Sequence, residues 1–345
     1  MSPDHDVIGV GLVGAGAFGR RLASRLPSVP GLRLAALHDA DAATAAAASA
    51  ELGVPASDSV SALVGRMDVA AVIIATPHAS HAPIALEAAA AGRHLFVEKP
   101  LAVTTADARR IADAARSAGV ALVVGHVTRL LPVPGRVFEL LDDGIVGTPL
   151  AAWMIRHQPL TRRGWMSRRS DFGMVLHSPA VHNVDLLLRV LGPARTVSAL
   201  AAPSIQAIEY PDIVSVLVAH EGGGVGSLGA TVSDPLFAPT GTSSARIVGS
   251  EGGLAFDVAT GRIHHQRVDD DLIEERIDVK GWGLDDAVTM ELTSWRDAIR
   301  GDAEPFVAPI DAIRAVALCE AADRSIEAAG APIAVADLPG MGGRS

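Results

Sequence analysis

A chain of 345 residues points to about two domains of ordinary size. With 49% hydrophobic and 20% charged residues it can bury a sizeable core, and a net charge of −10 disfavours nucleic acid or an anionic membrane surface as main partner. A single cysteine, Cys319, excludes an internal disulfide framework or cysteine-rich metal site, and no apolar run is long enough to span a bilayer, so a cytoplasmic protein is expected.

In the first third, short apolar runs alternate with alanine-rich stretches. Strands are predicted at Val7–Val13, Leu32–Leu37, Val69–Ala75, His94–Val97 and Val120–Val124, with helices between them at Ala17–Leu26, Ala42–Leu52, Ser80–Ala91 and Thr104–Ala118. The strands read as continuous Val/Ile/Leu/Ala, which suits a doubly wound parallel sheet buried on both faces. Gly53, Gly92 and Gly119 follow the helical runs where a left-handed cap residue belongs.

After about residue 127 the pattern changes. A helix is predicted at Pro132–Asp143, then strands at Leu150–His157, Ala194–Ala202, Ile213–His220, Val225–Val232 and Ser244–Gly249. Gly222–Gly223–Gly224 signals a hairpin, and residues 250–253 a second turn. One helix, Val175–Val190, interrupts this half, and Leu284–Arg300 and Ile310–Ala329 close the chain. The fold class is therefore α/β: a doubly wound parallel sheet over residues 1–127, then an α+β domain with a mostly antiparallel open sheet over 128–335, whose last helices can pack back on the first domain.

Gly14-Ala15-Gly16-Ala17-Phe18-Gly19 follows the first strand and opens the first helix, the context in which a G-x-G-x-x-G becomes informative. Gly14 permits a tight turn, Gly16 a close approach of backbone to a pyrophosphate, and Gly19 close packing of helix on strand. Asp39 ends the second strand, where a carboxylate accepts hydrogen bonds from ribose hydroxyls and repels a 2′-phosphate. Residues 40–48 hold no arginine, so NAD is favoured over NADP. Asp41 is the neighbour that instead caps the next helix.

Ala75-Thr76-Pro77 with His81, and Val97-Glu98-Lys99-Pro100, lie at the carboxyl ends of strands, where open α/β sheets bind ligands. Lys99 is one of two lysines in the chain, and lysine is the cationic side chain that can release a proton. Tyr210, the single tyrosine, is followed four places later by Val214, so a Tyr-x-x-x-Lys dehydrogenase site is excluded. In the second half Ser178, His182 and Asp185 share a face of the predicted helix. By spacing, His182 fits a general acid or base and a satisfied core histidine equally well. The histidines lack carboxylate or cysteine partners at ligand spacing, so no metal is expected. Cys319 reads as packing in a helix, and Trp153, Trp165 and Trp282 as pocket or core.

Taken in order, GAGAFG, ATPHASH, VEKPLA, GHVTRLLP and HSPAVHNVDLL resemble the Gfo/Idh/MocA family of nicotinamide-dependent oxidoreductases over nearly the whole chain. The resemblance implies a Rossmann domain, a second domain whose open sheet forms a homodimer or homotetramer, a small-molecule substrate, and a cis Lys99–Pro100 bond. It implies Lys99 and His182 as catalytic residues, with Gly14, Gly16, Ala17, Phe18, Gly19, Asp39, Thr76, Pro77, His81 and Glu98 toward the cofactor. Arg129, Trp165, Ser178, Lys99 and His182 would meet the substrate. Ser178 stands where the family's sugar dehydrogenases carry aspartate, and Ala180 where they carry glycine, so an inositol-type relay is incomplete. Together with Arg156, Arg162, Arg163, Arg168 and Arg169, this variant run looks more like the branch of 4-carboxy-2-hydroxymuconate semialdehyde dehydrogenases. The implied activity is hydride transfer at the CH–OH or C=O carbon of a sugar, cyclitol or carboxylated cyclic hemiacetal. The rival readings are an NAD-dependent glycosidase and a non-catalytic NAD-binding regulator.

Overall fold

The computed structural model describes residues 7–158, 164–204, 206–233, 242–281 and 283–335. Arg162, Arg163 and Trp282 lie outside the described residues. The chain forms two compact units, the first from Met1–Phe138, Arg163–Gly173 and Ile277–Ile313, the second from the remainder.

The first unit begins with β1 (Ile8–Val13), α1 (Ala17–Arg25), β2 (Leu32–His38), α2 (Ala42–Leu52), α3 (Val60–Val64), β3 (Ala71–Ile74), α4 (His81–Ala90), β4 (His94–Glu98), α5 (Thr105–Ala118) and β5 (Leu122–Gly125). These strands make one parallel sheet in the order β2-β1-β3-β4-β5. β3 and β5 are buried at every residue, as strands covered on both faces must be. Local chemistry sets the helix ends. Asp41, Ser59 and Thr104 accept backbone hydrogen bonds from Thr44, Ala62 and Asp107 at the starts of α2, α3 and α5, and Gly53, Gly92 and Gly119 turn left-handed where the helical runs stop. Helix α6 (Pro132–Asp142) follows.

In the second unit β6 (Pro149–His157) is followed, beyond α7 (Arg169–Phe172) of the first unit, by α8 (Val181–Leu191) and strands β7 (Ala194–Ala202), β8 (Ile213–His220), β9 (Val225–Thr231), β10 (Thr242–Gly249), β11 (Gly252–Asp257), β12 (Arg262–Arg267) and β13 (Ile273–Arg276). With β14 (Ile333–Ala334) they form a nine-stranded sheet in the order β13-β12-β11-β10-β6-β9-β8-β7-β14. It is antiparallel except where β6 runs parallel to β9. α8 covers one face, and alternation sorts the side chains: Val214, Val216 and Val218 point inward while Ser215 and Leu217 face out.

Helix α9 (Leu284–Arg300) returns to the first unit, and α10 (Pro309–Glu327) closes the helical part of the chain. Ala287, Val288, Leu292 and Trp295 of α9 enter the first unit's core, where the Trp295 ring meets Phe96 edge-on at 5.7 Å.

One expectation fails. The second-half helix starts at Val181 rather than Val175, and Val175–Ala180 is a run of turns. Pro179 disfavours helical backbone at the residue before it, Ser178, and cannot donate a hydrogen bond itself. Ser178 therefore does not share a helical face with His182, and only His182 and Asp185 remain in register. β11–β13 are additional to the strands expected from the sequence.

Candidate active site

The glycine turn is built by close approach. Gly14 has φ +91°, and a Cβ there would stand 2.5 Å from the Ala75 carbonyl oxygen. A Cβ at Gly19 would overlap the Gly14 carbonyl oxygen, so this glycine lets α1 lie against the turn. Gly16 differs, since a Cβ there would meet nothing within 4 Å. The protein's own packing leaves that space open.

Gly16 caps α1 without a side-chain hydrogen bond, and the first turn of the helix carries no acidic residue. The N–H groups and positive end of the helix dipole are thus left for an external anion. Asp39 closes the other side of the turn, its Oδ2 accepting from the Ala15 N–H (2.7 Å) and its Oδ1 from that of Asp41 (2.9 Å). These groups border a cavity of about 820 Å³ in the first unit. Gly14, Gly16, Ala17, Phe18, Asp39, Thr76, Pro77 and Trp165 all line it. The open space at Gly16, the uncapped helix and the Asp39 carboxylate fit a dinucleotide with an unphosphorylated ribose.

Other residues of the first unit lie outside the cavity lining. His81 is fully buried, with Nδ1 2.9 Å from the Pro100 carbonyl and Nε2 3.0 Å from that of Thr76. Burial pulls its pKa down against the two carbonyls that favour the charged ring, and a neutral imidazole, with one N–H, donates to one of them. His78 Nδ1 lies 2.8 Å from the Phe172 carbonyl, and its ring packs on Trp165 at 5.0 Å. Arg129 forms an ion pair with Asp311 inside the first unit, its guanidinium nitrogens 3.2 and 3.3 Å from one carboxylate oxygen. Arg168 pairs with Asp171 at 2.6 Å.

Lys99 follows the carboxyl end of β4, half-buried, and the Lys99–Pro100 and Ser178–Pro179 peptides are cis. Glu98 beside it is buried, one oxygen accepting the Lys99 N–H (3.2 Å) and the other without a hydrogen-bond partner. Burial pushes its carboxyl up to about 7, against the pull of the Lys99 charge. Glu291 on α9 was missed from sequence. It is fully buried, neither carboxyl oxygen has a hydrogen-bond partner, and burial followed by the Glu98 charge drives its pKa well up. Its signal was a carboxylate inside the apolar stripe Ala287, Val288, Leu292, Trp295.

In the second unit His182 occupies the first turn of α8, buried like its neighbours Asn183 and Asp185. Ser178 is buried just before the helix.

Two family models match. "Oxidoreductase family, NAD-binding Rossmann fold" covers residues 8–126, and "GFO/IDH/MocA C-terminal domain" covers 136–255. The 1,5-anhydro-D-fructose reductase of Ensifer adhaerens is 34% identical over 194 residues, 54% of this chain and 58% of that protein. The 4-carboxy-2-hydroxymuconate-6-semialdehyde dehydrogenase of Sphingobium sp. is 30% identical over 198 residues, 56% of this chain and 62% of that protein. The chain spans between half and two thirds of the length of these curated relatives. Among solved structures, an oxidoreductase domain protein from Kribbella flavida aligns with a TM-score of 0.86 and 26% identity, over 96% of this chain and 100% of that one. Levoglucosan dehydrogenase in complex with NADH and levoglucosan shares the fold, with a TM-score of 0.88 at 21% identity over 96% of this chain and 100% of that one.

Proposed function

Because the chain belongs to the Gfo/Idh/MocA family of oxidoreductases, we propose that it is an NAD-dependent dehydrogenase or reductase acting at a CH–OH or C=O carbon of a sugar, cyclitol or carboxylated cyclic hemiacetal. The observation that carries this reading is the cavity around Gly16 and Asp39, shaped for a dinucleotide that the fold does not otherwise need. When bound, the nicotinamide supplies hydride exchange with the substrate carbon. Gly14, Gly16 and the first turn of α1 hold the diphosphate, and Asp39 orients the ribose. Lys99 donates a hydrogen bond to the oxygen on the reacting carbon, and His182 moves the proton that leaves or joins it. Glu98 and Glu291 interact electrostatically with Lys99 and with each other, and burial raises both carboxyls, that of Glu98 to about 7.

In this reading the protein works in the cytoplasm as a homo-oligomer. The outward face of the nine-stranded sheet supports the assembly, since Trp153, Ile155, Leu200 and Leu217 are 41–61% exposed on it. No helix among the described residues is long and apolar enough to cross a membrane.

The test is Lys99→Ala assayed with NAD and a panel of sugars, cyclitols and hemiacetals, read by absorbance of NADH. Turnover is expected to fall at least about tenfold while NADH still binds. Turnover equal to that of the parent protein removes Lys99 from the mechanism, and a protein that binds no NADH defeats the whole reading.

A further inference from the structure

Along β6 the side chains alternate, and Arg156 follows Ala152 and Met154 on the face that α8 covers. Its cross-strand neighbours are Ala230 of β9 and Ser243 of β10, both buried. Gln158 continues the same row just past the strand, its backbone N–H donating to the Thr231 carbonyl at 2.9 Å. From α8, one residue on from His182, the Asn183 amide donates to Ser243 Oγ at 3.3 Å.

Three buried side-chain atoms at this end of the sheet have no hydrogen-bond partner: Arg156 Nε, Gln158 Oε1 and Asn183 Oδ1. Arg156 forms no ion pair with any described residue. Arg156 is half-buried with its Nε out of contact with water; bringing a cation even partly out of water without a counter-charge is costly, and a methionine would extend the apolar row Ala152–Met154 without that cost. Burial pulls the Arg156 guanidinium down to about 10, the direction expected of a cation that lacks a partner. The orphaned groups also differ in kind. One is a cationic donor shaped for a pair of anionic oxygens, and two are amide carbonyls that accept hydroxyl hydrogens.

We infer that this end of the nine-stranded sheet is a subsite for a hydroxy-carboxylate, with Arg156 receiving the carboxylate and Gln158 and Asn183 accepting from its hydroxyls. The inference rests on the oxidoreductase reading and narrows its substrates to sugar acids and related carboxylated polyols.

Calorimetry on the NADH-saturated protein tests it, with D-glucuronate and D-gluconate titrated against their neutral counterparts D-glucose and D-glucitol. At least one acid is expected to bind about tenfold or more tightly than its neutral partner. Arg156→Met should bring the pair within about twofold, Arg156→Lys should keep part of the preference, and both should bind NADH as the parent does. A parent protein that binds neither acid better than its neutral partner overturns the inference, as does an Arg156→Met variant that keeps the preference. If NADH itself fails to bind, the oxidoreductase reading falls, and the same comparison on the protein without NADH still decides the subsite.

Discussion

Gly16→Ala separates what the fold needs from what the ligand needs. Gly16 sits at φ −65°, ψ −174°, a conformation alanine adopts freely, and its added methyl would meet no protein atom within 4 Å. Replacing glycine by alanine at a helix N-cap costs at most about 1 kcal/mol, so the melting temperature should move by no more than a few degrees. The same methyl projects into the space assigned to the diphosphate. Forcing it against a bound group costs about 1–3 kcal/mol, as overpacking does in a core, which is roughly a 5- to 150-fold rise in the Kd for NADH. Gly19→Ala gives the opposite pattern. Its methyl overlaps the Gly14 carbonyl oxygen, the about 1–3 kcal/mol falls on folding, and the melting temperature drops by roughly 2–12 °C. Fluorescence titration with NADH beside thermal melting reads both variants. A Gly16→Ala protein that binds NADH within about twofold of the parent would refute the placement of the diphosphate.

Three further outcomes follow from the geometry. Asp39→Asn removes the charge that disfavours a 2′-phosphate, so the ratio of NADPH to NADH Kd should fall at least about fivefold, and an unchanged ratio removes Asp39 from coenzyme choice. Glu291 has its folded pKa raised well above 4.5, so the folded state holds the proton more tightly than the unfolded chain. Its stabilising contribution is present in full below about pH 4.5 and is lost as pH rises, by up to about 1.4 kcal/mol per pH unit. Glu291→Gln cannot ionise and should flatten that fall, melting above the parent at pH 8 to 9; parallel melting profiles from pH 5 to 9 would contradict it. Cys319 is buried with its thiol pKa pushed up and its Sγ 3.3 Å from the Leu176 carbonyl. Iodoacetamide should therefore leave the folded protein unlabelled over an hour and modify one thiol per chain in denaturant, and rapid labelling of the native state would show the α10 packing to be wrong.

What the sequence made legible is what adjacent residues determine. The turn from β1 into α1 and the carboxylate ending β2 lie within one β-α-β unit, so glycine spacing and a strand end suffice to locate them. Ala42–Leu52, Ala194–Ala202, Ile213–His220 and Leu284–Arg300 carry unbroken periodicity and match the structure at both ends. β12, Arg-Ile-His-His-Gln-Arg, has one aliphatic residue and is held by its neighbours in the sheet, so nothing in its own pattern announced a strand. Glu291 was harder to read: a charged residue in a periodic stretch ordinarily faces water, and its burial depends on the elements packed around α9. Arg156 was named from the sequence, but its lack of a counter-charge could not be read there.

Helix α9 carries a consequence for synthesis. Phe96 is buried on β4, next to the edge strand of the parallel sheet, and Trp295, the ring that seals it, is encoded about 200 residues later. At ribosomal rates of roughly 5–20 residues per second, the nascent sheet waits on the order of 10–40 s with that apolar patch bare. During this interval the emerging chain offers chaperones a sticky surface, and a product truncated after β5 keeps it for good. Such a fragment is expected to collect in inclusion bodies, even though it holds every strand of the coenzyme-binding sheet.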